Sequence, residues 1–267
     1  MVSINLCADQ YLAVLAERGQ IVGLSPLAHD PSISFFAERL KGLPAIRDDA
    51  ESVLMLQPDL VIASVYNKPQ TLRLLRAQGL NIFVLPAVRK LEDIAEHIVR
   101  LAGVLGRDGE GAALVANLHQ VMARTKNAAT ASAFRKVLYY QRGGYASGRG
   151  SYIGMMLHHL GLINLAGQRG QVISSLPLES VVAHPPDLLI VSDQVHRSDN
   201  QGATLLNHPA LARILKHKSR LIIPMRETIC PGPVLNAALS DMAAQIRSLA
   251  ADGHAKATSR GREQKTQ

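Results

Sequence analysis

Residues 51–64 read ESVLMLQPDLVIAS, and residues 179–192 read ESVVAHPPDLLIVS. Eight of the fourteen positions are identical, and the copies begin 128 residues apart in a chain of 267. In the first copy, Glu51 to Leu56 has the pattern of a short amphipathic helix. Gln57-Pro58-Asp59 reads as a turn, since Pro ends a helix and Asp favours turn backbone. Leu60-Val61-Ile62-Ala63 is then an apolar run of strand length, the kind buried on both faces of a parallel sheet. The second copy repeats the order, with Pro185-Pro186-Asp187 as the turn and Leu188-Leu189-Ile190-Val191 as the strand. Two equivalent helix–turn–strand units predict an α/β fold of two lobes, each a helix-flanked, mostly parallel sheet.

The flanking sequence follows the same alternation. In the first lobe VSINL, IVGLS and NIFVLP are strand-like, and QTLRLLRAQGL and LEDIAEHIVRLAGVLG are helical, the latter with Ile94, Ile98, Leu101 and Leu105 on one face. In the second lobe RKVLYY and RLIIPM read as strands, and SYIGMMLHHLGL, TLLNHPALARIL and GPVLNAALSDMAAQIRSLA as helices. Between them, 108–133 lacks Pro and spaces Leu114, Leu118, Val121 and Met122 helically, as a single connecting spine of about 20 residues and about 30 Å. The sequence thus divides into an N-terminal lobe (1–107), a spine helix (108–133), a C-terminal lobe (134–252) and a basic, unpatterned tail (253–267) expected to be disordered.

Composition sets bounds. At 47% hydrophobic and 19% charged the chain has ample core material. No run of about 18 apolar residues crosses a membrane, and the opening MVSINL reads as a first strand with no signal peptide before it. The net charge of +8 is partly the tail, which carries four Lys/Arg against one Glu. With no Trp and no basic helix interleaved with aromatics, nucleic-acid binding is not expected. Cys7 and Cys230 have no CxxC spacing and are either two buried thiols or one bridge.

In open α/β sheets ligands sit beyond the carboxyl ends of the strands, so two facing lobes predict a cleft lined by the loops there. These are CADQ, SPLAHDP, PAIRDD and SVYNKP in the first lobe, and QRGGYASGRGSY, SDQVHRSDN and PMRETICPGP in the second. They carry Arg47, Tyr66, Arg142, Tyr145, Arg149, Tyr152 and Arg226. Arg grips planar oxyanions in bidentate fashion and Tyr adds a flat apolar face with a hydroxyl, which suits a bulky, partly anionic ligand. The glycine-rich loop opens a helix at Ser151, where free amides favour an anion. Enzyme signatures are missing: no GxSxG elbow, no P-loop lysine, no GxGxxG after a strand, no HExxH. His158 and His159, adjacent on a helix, cannot share one site.

Taken in order and spacing, VSINLCADQYLAVLA, ESVLMLQPDLVIAS, GRGSYIGMMLHHLGLINLA, LPLESVVAHPPDLLIVSD and ETICPGPVLNAAL resemble the periplasmic solute-binding proteins of ABC importers for iron–siderophore complexes, haem and vitamin B12. The resemblance covers the chain to about residue 250. It implies a non-enzymatic, periplasmic, monomeric binding protein with no resident cofactor, delivering a metal complex to a membrane permease dimer. It also implies that Glu51 and Glu179, matching one surface glutamate per lobe in the vitamin B12-binding relative, pair with permease arginines. That relative lines its cleft with Trp, whereas this chain has Ser64-Val65-Tyr66 at one such position. Together with the Arg-rich loops this favours an anionic ferric chelate, binding through Arg47, Tyr66, Tyr145, Arg149, Tyr152 and Arg226, over a corrinoid. Haem, held through Tyr or His, or cobalamin is the alternative within the family. A chelatase-like enzyme on a two-lobe scaffold is the alternative from a different class.

Overall fold

The computed structural model describes residues 1–130, 132, 134–167, 171–193 and 219–263. The chain groups into two compact units, Met1–Gln120 with Met225–Asn236, and Val121–Pro224 with Ala237–Gln267.

In the first unit, strands β1 (Val2–Ser3), β2 (Val61–Ser64) and β3 (Ile82–Leu85) form a parallel sheet in that order. Val2 pairs with Val61, and Val61 with Ile82. The expected strand at IVGLS is reduced to isolated bridges, Val2 to Gly23 and Leu24 to Ala45, which extend the sheet beyond β1. Helix α1 (Leu6–Leu15) begins early because Asn5 accepts the Cys7 amide at 2.9 Å. CADQ is therefore helix rather than loop. Three further helices follow, α2 (Ala37–Leu40), α3 (Ala50–Met55) and α4 (Pro69–Ala77). Asp49 caps α3 through the Ser52 amide, and Pro69 sits in the first turn of α4. Helix α5 (Asp93–Leu105) buries Ile94, Ile98, Leu101 and Leu105 as the spacing predicts, and ends at Gly106 with φ 67°. The core beneath β2 joins Val2, Ile4, Val53, Val61, Ala63 and Leu75.

Helix α6 (Asp108–Thr125) carries the chain into the second unit. It stops short of the expected 133. Asn127 turns left-handed at φ 57°, and the amides of Asn127 and Ala129 leave the helix to donate to His159 and Leu160.

In the second unit a parallel sheet has the order β6-β4-β8-β9, made of β4 (Lys136–Tyr139), β6 (Ile163–Asn164), β8 (Leu188–Ser192) and β9 (Ser219–Ile223). A separate antiparallel pair joins β5 (Tyr145–Ser147) to β7 (Ile173–Ser175). Helices α7 (Tyr152–His159) and α8 (Leu178–Ala183) flank these strands in the chain, and α9 (Met225–Thr228) and α10 (Leu235–Glu263) follow β9. The duplicated sequence is thus α3-β2 in one unit and α8-β8 in the other, each supplying an inner strand of its sheet.

Two expected boundaries move. Segment 225–236 groups with the first unit, because Cys230 is disulfide-bonded to Cys7 and Gly232 lies against the Tyr11 ring. The chain therefore passes between units at 120/121, 224/225 and 236/237, where the sequence suggested one crossing. Helix α10, which contains no Pro, also continues as far as Glu263 through the expected tail. The helix expected at 204–215 lies outside the described residues.

Candidate functional site

The turn after β2 is pinned at both ends. Asn67 accepts the Ser64 amide at 2.8 Å and donates from Nδ2 to the Ile4 carbonyl at 2.8 Å, tying the carboxyl ends of β2 and β1 together. Ser64 Oγ accepts the Tyr66 amide at 3.2 Å. The backbone is thereby consumed internally, and the Tyr66 side chain stands out 74% exposed.

Beside Tyr66 lies a hollow of about 320 Å³, counting the solvent at its mouth. Ser64, Leu85, Pro86 and Val88 line it from the ends of β2 and β3, Tyr11 and Cys7 from α1, His97 from α5, and Pro231 from the loop after α9. The Cys7–Cys230 disulfide closes the pairing that sequence left open and holds that loop on α1. Tyr11 is buried, its hydroxyl 3.5 Å from the Pro231 carbonyl, and burial pushes its phenol up. His97 is 4% exposed, its ring centroid 6.5 Å from that of Tyr11. Burial lowers its pKa, with Asp93 and Glu96 opposing and Arg100 reinforcing the shift.

Deeper in this unit Asp9 is fully buried and accepts both the amide and the hydroxyl of Ser25. Desolvation outweighs these bonds and raises its pKa to about 6.

Of the residues expected to bind ligand, the structure brings Tyr66 to the hollow and leaves Arg226 exposed on α9, four residues before Cys230. Arg47 is exposed and pairs with the helix-capping Asp49 at 3.2 Å. In the second unit Tyr145 is 52% exposed on β5. Arg149, on an exposed loop, donates to Nε2 of His158 at 2.8 Å. Tyr152, the first residue of α7, turns inward and is 9% exposed. The anion-binding amides expected at that helix are partly taken. Ser151 Oγ accepts the Gly154 amide, and the Ser151 and Gly150 amides donate to Gly148 and Gln171 carbonyls. His159 points elsewhere, to the Met122 carbonyl at 3.0 Å, so the two adjacent histidines do diverge. The Arg142 side chain and all but the first two residues of the SDQVHRSDN loop lie outside the described residues.

Glu51 and Glu179 are both exposed in the first turn of six-residue helices. Burial raises the pKa of Tyr140, and the Glu179 charge adds to the shift. Among the described residues no three His, Cys, Asp or Glu side chains converge to hold a metal, and no helix is long and apolar enough to cross a membrane.

Sequence reasoning passed over His97, Tyr11 and Asn67. His97 was legible in one respect: Ile94, His97, Ile98 and Leu101 fall at i, i+3, i+4 and i+7, which places the imidazole on the buried stripe.

The sequence profile described as "Periplasmic binding protein" matches residues 1–223. A cobalamin-binding protein of Halobacterium salinarum is 26% identical over 218 residues, 80% of this chain. The chain spans 59% of the length of that relative. Among solved structures, the apo form of the periplasmic heme-binding protein RhuT from Roseiflexus sp. RS-1 is 28% identical, with TM-score 0.78 over 93% of this chain and 98% of that one. The periplasmic vitamin B12-binding protein BtuF of Vibrio cholerae shares the fold at 16% identity, TM-score 0.71, over 92% and 95%.

Proposed function

The chain belongs to the periplasmic binding protein family, and from that premise we propose that it is the solute-binding component of an ABC importer for an iron(III) chelate of the siderophore type. The observation that carries the reading is Tyr66, an exposed phenol on a turn whose backbone is pinned by Asn67, beside an apolar hollow. A rigid aromatic presented this way gives a chelate a flat face and a hydroxyl at little entropic cost. Arg226 on the same unit supplies a guanidinium suited to the oxygen-rich rim of such a complex, and the second unit separately exposes Tyr145 and Arg149. The metal is cargo, so the protein binds without turnover and as a monomer.

The Cys7–Cys230 bond supports an oxidising compartment, the periplasm, as the place of work. Glu51 and Glu179 recur in register on the two units, and this supports their pairing with cationic side chains of a two-fold permease. Arg47, exposed and paired with Asp49, is a further guanidinium on the first unit for the ligand.

A tetrapyrrole is the second reading, favoured by the relatives named for haem and cobalamin. Titration of the purified protein with ferrioxamine B, ferrichrome, haemin and cyanocobalamin, read by tyrosine fluorescence, separates the two. The siderophore reading expects saturable quenching by a ferric hydroxamate and its loss in Tyr66→Ala. Binding of haemin or cyanocobalamin alone establishes the second reading, and no binding by any of the four overturns both.

A further inference from the structure

We infer that His97 is a specificity-determining contact of the ligand site, hydrogen-bonding an uncharged polar substituent of the chelate (an amide, hydroxamate or hydroxyl group) that enters the hollow beside Tyr66. The inference rests on the ferric-chelate reading and deepens it.

Three observations converge. His97 is more than nine-tenths buried yet lines the hollow. It makes no hydrogen bond among the described residues, its neighbours being the tilted Tyr11 ring and charges along its own helix. The ring nitrogens are not among the fully buried atoms left without a partner, so they open onto the hollow, where a neutral imidazole can exchange water for a polar group of the ligand. The hollow is open at its mouth and far too small for a whole chelate, so what enters it is a single substituent.

The lining decides the chemistry of that substituent. It contains no Lys or Arg, so a carboxylate entering against Leu85, Pro86 and Val88 would lose its hydration without gaining a cation. Asp93 and Glu96 on the same helix oppose it further, while Arg100 lies one helical turn beyond Glu96 and is engaged with that residue and the Phe83 ring. A neutral imidazole offers one N–H donor and one acceptor, which matches the paired donor and acceptor of an amide or hydroxamate. Burial, which favours the neutral ring, acts in the same direction.

The test compares His97→Phe, which keeps a ring without nitrogens, with His97→Gln, which restores a donor and an acceptor. Ferrioxamine B, an iron(III) trihydroxamate with amide groups, is the probe. His97→Phe is expected to weaken binding about tenfold, the worth of one hydrogen bond, and His97→Gln to recover most of it, with circular dichroism unchanged in both. If His97→Phe does not fold, imidazole nitrogen shifts of the unchanged protein test the same contact. They should move with N-methylacetamide and stay fixed with acetate. Equal affinity in folded His97→Phe, or equal response to the two small probes, overturns the His97 assignment and leaves the ferric-chelate reading standing. Failure of the unchanged protein to bind either ferrioxamine B or ferrichrome overturns the ferric-chelate reading, and this inference with it.

Discussion

Replacing Cys7 and Cys230 by Ala removes a cross-link between residues 223 positions apart. The chain-entropy relation for a loop of this length gives about 5 kcal/mol, the upper end of what a single disulfide contributes. Packing also seats the tethered segment, with Glu227, Cys230, Val234 and Leu235 buried and the Tyr11 hydroxyl 3.5 Å from the Pro231 carbonyl. The loss therefore falls on the unfolded chain's entropy and on the loop that carries Pro231 and follows Arg226. Urea unfolding read by tyrosine fluorescence and far-ultraviolet circular dichroism measures it. With a slope of about 2–3 kcal/mol per molar urea, the midpoint should fall by about 2 M. Reductant applied to the unchanged protein should reproduce the shift once thiol titration shows both sulfurs free. A midpoint displaced by less than about 0.2 M, well under one kcal/mol on the same slope, would refute the reasoning, since it means non-covalent packing alone seats this segment.

Asp9 makes stability depend on pH in an uncommon direction. Its folded pKa is raised from 3.8 to about 6, so its contribution is complete below about pH 4 and is lost as pH rises through 6, at a cost of about 3 kcal/mol. Asp9→Asn should flatten that slope between pH 4 and 7; parallel profiles in the two proteins would count against the buried carboxylate. Gln57 is held at φ 45°, where the second copy has Pro185. Gln57→Gly should gain about 0.5–1 kcal/mol, whereas Gln57→Pro, unable to reach positive φ and losing the amide bond to Leu54, should lose more than that. Thermal melts in the reverse order would contradict the assignment. Glu51→Arg combined with Glu179→Arg should abolish uptake in cells while leaving chelate affinity within about twofold, as rim charges act mainly on association; undiminished uptake removes the docking role.

The repeated sentence was enough to place β2 and β8, because an apolar run after a Pro-Asp turn is decided by local backbone preference and burial together. Helix α5 was legible for the same reason, its stripe of Ile94, Ile98, Leu101 and Leu105 being a local pattern. What sequence did not show depends on distant partners. The end of α6 is set by carbonyls of His159 and Leu160, more than thirty residues away from Asn127 and Ala129. The grouping of 225–236 with the first unit depends on a bond to Cys7. At the site, Tyr66 was readable as a loop aromatic, but its exposure follows from Asn67 reaching back to Ile4. Tyr152 looked equivalent and is buried, since only packing distinguishes the two tyrosines. His97 carried a clear position and an ambiguous meaning: a histidine on an apolar stripe reads as core until its missing partner and the adjoining hollow are seen together.

Native mass spectrometry of the protein recovered from iron-starved cells and supplied with ferrioxamine B probes the proposal at its root. The expected spectrum shows a one-to-one adduct whose mass includes the iron, absent from Tyr66→Ala. A spectrum of bare polypeptide in both proteins, or an adduct equally abundant in the two, would contradict the claim that this tyrosine receives a ferric chelate.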